Sequence, residues 1–221
     1  MGYSKYSNFV HLLQELTCSN PEKVIFTFLA DGETESGSLT YRQLDRQARA
    51  IAAYLQSLQS KGERALLLYQ PGLEFISAFL GCLYAGVIAT PAYPPRPNRS
   101  FARLEAIIRD AGATIALTSE SLKEKIAQKL TEDTSISCFA TDSLELEVAE
   151  AWQLPTDIKE DSLAFLQYTS GSTGMPKGVM VTHGNLMHNS HLISQCFQNN
   201  SQSSGVSWLP PYHDMGLIGG I

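Results

Sequence analysis

Residues 65–90 read ALLLYQPGLEFISAFLGCLYAGVIAT, and this stretch decides the fold. Residues 65–69 (ALLLY) are an unbroken apolar run, the pattern of a strand covered on both faces. A helix is expected from about Leu73, stopping near Gly86, a natural C-terminal cap, and residues 87–90 return as a short core strand. Residues 75–92 carry no charge over 18 positions, the lower edge of a membrane span. Gly81, Gly86 and Pro91 interrupt the run, Glu74 precedes it directly, and no Lys/Arg asymmetry flanks it, so two buried pieces are expected instead.

The same alternation extends in both directions. Upstream, residues 24–30 (VIFTFLA) read as a strand closed by an Asp31-Gly32 turn. Thr40-Tyr-Arg-Gln43 is a capping-box pattern, and the helix it opens sets Leu44, Ala48, Ile51, Ala52, Leu55 and Leu58 on one face, with Gly62 ending the unit. Downstream, residues 91–97 (PAYPPRP) form a stiff extended linker. Ser100 is expected to cap a helix running to Ala111 with Leu104, Ile107 and Ile108 inward, and Gly112 closes it. A strand over 113–118, a helix near 121–130 and a strand near 136–140 follow. Repeated strand–helix–strand units with short joints predict an α/β fold with mainly parallel sheets and flanking helices.

With 221 residues, 43% hydrophobic, the chain holds enough apolar material for a sizeable core. A net charge of −6 argues against a generic nucleic-acid binder and gives no lure for an anionic membrane. Cys18, Cys82, Cys138 and Cys196 lie 64, 56 and 58 residues apart, which excludes a zinc ribbon or a CxxC redox site as a local motif. The N-terminus lacks the apolar core of a signal peptide, so a reduced, cytoplasmic chain is expected and two Asn-x-Ser matches are read as chance. Residues 131–161 hold nine acidic residues and one basic, Lys159, and are read as a solvated edge or linker. Residues 162–221 contain only Lys177 and Asp214 among Asp, Glu, Lys and Arg. So little charge predicts a segment that lies inside something or lines a cleft. With an apolar run at its end, it predicts the first part of a larger folding unit.

The chemistry concentrates in that segment. Residues 163–168 (LAFLQY) read as a buried strand, Thr169-Ser-Gly-Ser-Thr-Gly-Met-Pro-Lys-Gly178 as a loop, and residues 179–181 as a second strand, with Thr182 capping a helix from His183. Gly171, Gly174 and Gly178 permit backbone shapes in which several N–H groups converge on one anion. Thr169, Ser170, Ser172 and Thr173 add hydroxyl donors and Lys177 a solitary cation, a combination suited to a polyphosphate. A flexible Ser/Gly linker is the bland alternative, but linkers seldom join two apolar strands. The Walker pattern GxxxxGK[ST] is absent, because Lys177 precedes Gly178 and no Ser or Thr follows it; GxGxxG is absent too. No GxSxG elbow supports a serine hydrolase. His183, His188 and His191 lack an HExxH pattern, so a polar or packed helix face is preferred to a zinc site, and His213-Asp214 alone is weak evidence for a metal phosphohydrolase.

The stretch TSGSTGMPKGV at 169–179 resembles the phosphate-binding signature of the adenylate-forming (AMP-dependent synthetase/ligase) superfamily. Residues 87–97 (VIATPAYPPRP) and 207–217 (SWLPPYHDMGL) resemble its fatty acyl-AMP ligase branch in particular. The resemblance implies activation of a fatty acid with ATP and Mg²⁺ to acyl-AMP plus pyrophosphate, then transfer to an acyl carrier protein. It implies a large α/β N-terminal domain, of which residues 1–221 are a truncated portion, with the small C-terminal domain absent. It assigns Thr169, Ser170, Gly171, Ser172, Thr173, Gly174 and Lys177 to the β- and γ-phosphates and His213 to the acyl-adenylate pocket, where an imidazole can orient the carboxylate. Asp214 is read as orienting the next helix rather than binding metal, and Trp208 as packed or lining the acyl channel. No metal ligand is assigned. The chain ends before the family's adenine- and ribose-binding segments and its catalytic lysine, so the chain alone is expected to be inactive. A fatty acid–CoA ligase fragment and a non-catalytic binding module remain as alternatives.

Overall fold

The computed structural model describes residues 6, 8–95, 101–131, 136–169 and 176–221. The chain runs α1 (Phe9–Ser19), β1 (Val24–Leu29), β2 (Glu35–Thr40), α2 (Tyr41–Ser57), β3 (Arg64–Leu67), α3 (Leu73–Ala85), β4 (Ile88–Pro91), α4 (Ala102–Ala111), β5 (Ile115–Thr118), α5 (Glu120–Thr131) and β6 (Ser137–Ala140). A 3-10 segment (Leu146–Ala151), β7 (Leu163–Thr169), β8 (Lys177–Thr182), α6 (His183–Cys196) and α7 (Asp214–Ile218) complete it. Six strands form one sheet in the order β6-β5-β3-β4-β7-β8. Strands β6 through β7 are parallel, and β8 returns antiparallel along β7.

Two cores flank this sheet, as alternation along its strands requires. On one face Ala65, Leu67, Ala89, Phe165 and Leu117 pack with α2 and α3. On the other, Leu66, Ile88, Ala116, Leu166 and Tyr168 pack with α4 and α5. Helix α3 is buried at every position from Phe75 to Ala85. Burial all round explains why its sequence is apolar all round without being a membrane span. No helix among the described residues is long and apolar enough to cross a membrane. Gly86 ends α3 in the left-handed region (φ 70), as its sequence position predicted. The Thr40–Gln43 capping box is formed in both directions.

Several expectations change. Strand β1 pairs antiparallel with β2 in a separate two-stranded sheet rather than joining the main one. Strand β2 (ESGSLT) gave no sequence signal because only Leu39 is buried in it. Helix α2 ends at Ser57, so Leu58 occupies the C-cap and is exposed rather than inward. Helix α4 starts at Ala102 with Phe101 at the N-cap; Ser100 lies outside the described residues.

The acidic stretch is more than a solvated edge, because residues 149–152 strap it to α2 and α3. Ala149 is buried, Trp152 Nε1 donates to the Tyr84 carbonyl (3.0 Å), and Arg49 Nη2 donates to the Ala149 carbonyl (3.4 Å). Its acidic side chains Glu145, Glu147 and Glu150 stay exposed while these small and aromatic groups face the protein. Within the charge-poor segment β7 is buried, but much of α6 and the loop after it is exposed, including Phe197 and Val206.

Candidate functional site

The expected phosphate loop is the connection between β7 and β8. Thr169, the last residue of β7, lies directly opposite Lys177, the first of β8, and both are exposed. Directly opposed residues of an antiparallel pair hold their Cβ atoms about 4.5–5.5 Å apart, so a hydroxyl and an ammonium share one face at the root of the loop. Ser170, Gly171, Ser172, Thr173 and Gly174 lie outside the described residues. The pair one step back is Tyr168 and Gly178.

This root sits at the C-terminal end of the parallel strands, beside the end of β4. The two neighbouring strands send their chains in opposite directions: β4 leads through α4 to β5, beyond β3, whereas β7 turns outward into β8. Divergences of this kind, outside the strand ends, are where α/β sheets bind ligands. The segment leaving β4 contributes Tyr93, whose ring packs on that of Tyr212 (centroids 4.0 Å, 45° apart). Gln167, buried in β7, donates from Nε2 to the Tyr212 carbonyl (3.2 Å). Its Oε1 has no partner among the described residues. The three stretches singled out in the sequence therefore meet at one end of the sheet. Gln167, Tyr93 and Tyr212 were not anticipated as the residues that join them. The available signal was Gln167 itself, a polar residue inside an apolar strand.

His213 follows Tyr212 directly and occupies the N-cap of α7, exposed at the surface. Its Nδ1 lies 2.5 Å from Asp214 Oδ1, which also accepts from the Met215 amide (2.7 Å). Asp214 thus orients the start of α7, as expected. The turn into α7 is tight: a Cβ at Gly216 would stand 2.1 Å from the Pro210 carbonyl oxygen. Trp208 is not packed among the described residues, being 87% exposed. It is carried on a loop whose neighbours Val206 and Ser207 are also exposed.

The residues present fit a polyphosphate, since Lys177 is the one cationic Lys or Arg in the last 60 residues and stands opposed to a hydroxyl. Among the described residues no group of three or more His, Cys, Asp or Glu is placed to hold a metal ion, and Asp214 is already engaged. His183 belongs elsewhere. It starts α6 next to Thr182, which pairs with Leu163 at the opposite end of β7, and burial pushes its imidazole down to about 4.

Solved structures share this architecture. The fatty acyl-adenylate ligase from L. pneumophila, solved in complex with acyl adenylate and pyrophosphate, superposes with a TM-score of 0.88 at 44% identity, over 98% of this chain and 38% of that one. Among curated proteins, a medium-chain-fatty-acid–[acyl-carrier-protein] ligase from Moorena producens is 45% identical over all of this chain and 38% of its own length. A long-chain-fatty-acid–AMP ligase from Mycobacterium tuberculosis is 36% identical over 95% of this chain and 38% of its own length. The chain thus spans well under half the length of the relatives it matches. The family described as AMP-binding enzyme matches residues 14–221, and it is to this AMP-binding enzyme family that the chain belongs.

Proposed function

We propose that residues 1–221 are a portion of the large domain of a fatty acyl-AMP ligase, carrying its phosphate loop and part of its acyl-adenylate pocket. The observation that carries this is the opposition of Thr169 and Lys177 at the strand ends where the Tyr212–His213 segment docks. In the reaction a fatty carboxylate oxygen attacks the α-phosphorus of ATP, and the bond to pyrophosphate breaks. Lys177, Thr169 and the loop residues Ser170, Gly171, Ser172, Thr173 and Gly174 hold the β- and γ-phosphates and neutralise charge as pyrophosphate departs. Mg²⁺, for which the described residues provide no ligand set, would supply further neutralisation of that charge. His213 orients the carboxylate. It is not a general base, because a carboxylate nucleophile has no proton to give up.

The acyl group then passes to an acyl carrier protein, as the name of the Moorena relative suggests for that enzyme. We place the reaction in the cytoplasm, and we infer that this chain alone does not turn over. Its phosphate loop and one pocket histidine cannot fix adenine, ribose and acid together.

ATP–pyrophosphate exchange with medium- and long-chain fatty acids tests the last point; robust exchange by the 221-residue chain overturns it. Binding of inorganic pyrophosphate with Mg²⁺, read by titration calorimetry, tests the loop. Lys177→Ala is expected to weaken binding at least tenfold, and unchanged affinity refutes the assignment. Joined to the missing length of the Moorena relative, the chain is expected to support acylation of carrier protein and not of free CoA. Preferential acylation of CoA would favour a CoA ligase instead.

A further inference from the structure

We propose that Tyr168, hydrogen-bonded to Asp110 and laid over Gly178, is a positioning residue that keeps the β7–β8 hairpin closed so that Thr169 and Lys177 stay opposed for a polyphosphate. The proposal rests on the phosphate reading above and adds to it the device that holds the site's shape.

Three observations converge. Tyr168 Oη donates to Asp110 Oδ2 at 2.6 Å, tying the last buried residue of β7 to α4. Tyr168 is directly opposite Gly178, and a Cβ built there would meet its ring at 2.9 Å (Cζ) and its hydroxyl at 3.0 Å. The ring therefore lies across the backbone of β8, in space that only glycine leaves free, and an aromatic side chain covers a glycine that has none of its own to pack. Finally, the next pair along the hairpin is Thr169 and Lys177, so whatever fixes the Tyr168–Gly178 pair fixes the root of the loop. Among the described residues strand β8 pairs with β7 alone, which leaves its position dependent on cross-strand contacts such as this. Among the described residues Asp110 meets the hairpin at the Tyr168 hydroxyl. It acts through Tyr168, which the sequence places 58 residues away.

The test compares Tyr168→Phe, Asp110→Ala, Asp110→Asn and Gly178→Ala with the wild-type chain in two measurements. In hydrogen exchange read by mass spectrometry, Tyr168→Phe, Asp110→Ala and Gly178→Ala are expected to speed exchange over residues 177–182 about tenfold, with residues 64–67 of β3 unchanged. Asp110→Asn keeps an acceptor for the Tyr168 hydroxyl and is expected to stay within twofold of wild type. In calorimetry with Mg²⁺ and inorganic pyrophosphate, the first three are expected to weaken affinity about tenfold and Asp110→Asn hardly at all. Exchange that rises equally in all peptides marks a merely structural role and overturns the proposal. So does unchanged exchange over 177–182, or a loosened hairpin with undiminished pyrophosphate affinity. A wild-type chain that ignores pyrophosphate refutes the phosphate reading; the closed hairpin then stands or falls on the exchange pattern alone.

Discussion

Acidifying the solution should destabilise this protein through His183. The imidazole is 1% exposed, and its Nδ1 has no hydrogen-bond partner among the described residues. It is the first residue of α6, where the positive end of the helix dipole also disfavours a positive charge. Burial lowers it from 6.5 to about 4 in the folded chain. The sign follows. Between those two values the unfolded chain binds the proton and the folded chain does not, so stability is full above pH 6.5 and falls as pH drops toward 4. The whole difference corresponds to about 3 kcal/mol, of which about 2 kcal/mol is lost by pH 5. For a chain of this size 2 kcal/mol is roughly 4–8 °C in melting temperature.

Urea denaturation of wild type and His183→Gln at pH 7.5, 6 and 5 isolates the contribution. Carboxylates titrate in both proteins and cancel, so any uniform cost of the substitution drops out of the comparison of slopes. Wild type should lose about 2 kcal/mol more than the variant between pH 7.5 and 5. Parallel pH dependences would refute the reasoning and mean that the imidazole is solvated or paired in the folded chain.

Two further outcomes concern the packing behind the site. Gly81→Ala places a Cβ 2.6 Å from Ile51 Cγ2, between α3 and α2, and should destabilise the chain by about 1–3 kcal/mol in urea titrations; a neutral result would show that the two helices part easily. Tyr84→Phe removes the hydroxyl that donates to Asp45 Oδ1 at 2.8 Å inside the α2–α3 interface and should cost about 1.5–3 kcal/mol, with the near-ultraviolet circular dichroism of neighbouring Trp152 altered (rings 5.0 Å apart). An unchanged spectrum and midpoint would show that the Tyr84 hydroxyl does not hold this interface.

Much of the fold was legible because it is local. The caps of α2 and α6 are formed by Thr40 with Gln43 and by Thr182 with Asn185, all within three residues, and Gly86 and Gly112 end α3 and α4 in the left-handed region. An uninterrupted apolar run marked β3 and mainly apolar runs marked β5 and β7, since a strand covered on both faces has few polar positions to alternate with. Where the apolar content was thin the reading failed, as at β2, and where a helix stopped short it overreached, as at Leu58. Charge depletion over 162–221 was a sound observation but did not translate into uniform burial: α6 is mostly half-buried or exposed and the Trp208 loop is largely exposed.

For the candidate site, the residue types of 169–178 and the stretches around Tyr93 and His213 already pointed to a polyphosphate and a family, because hydroxyls, glycines and one lysine are chemistry that needs no fold to be recognised. That they belong together was a matter of tertiary structure. The antiparallel return of β8, the opposition of Thr169 and Lys177, the Gln167–Tyr212 bond across 45 residues and the Tyr168–Asp110 bond across 58 all depend on which strands become neighbours. Sheet order is settled by burying two apolar faces at once, a condition on the whole chain that no local stretch encodes.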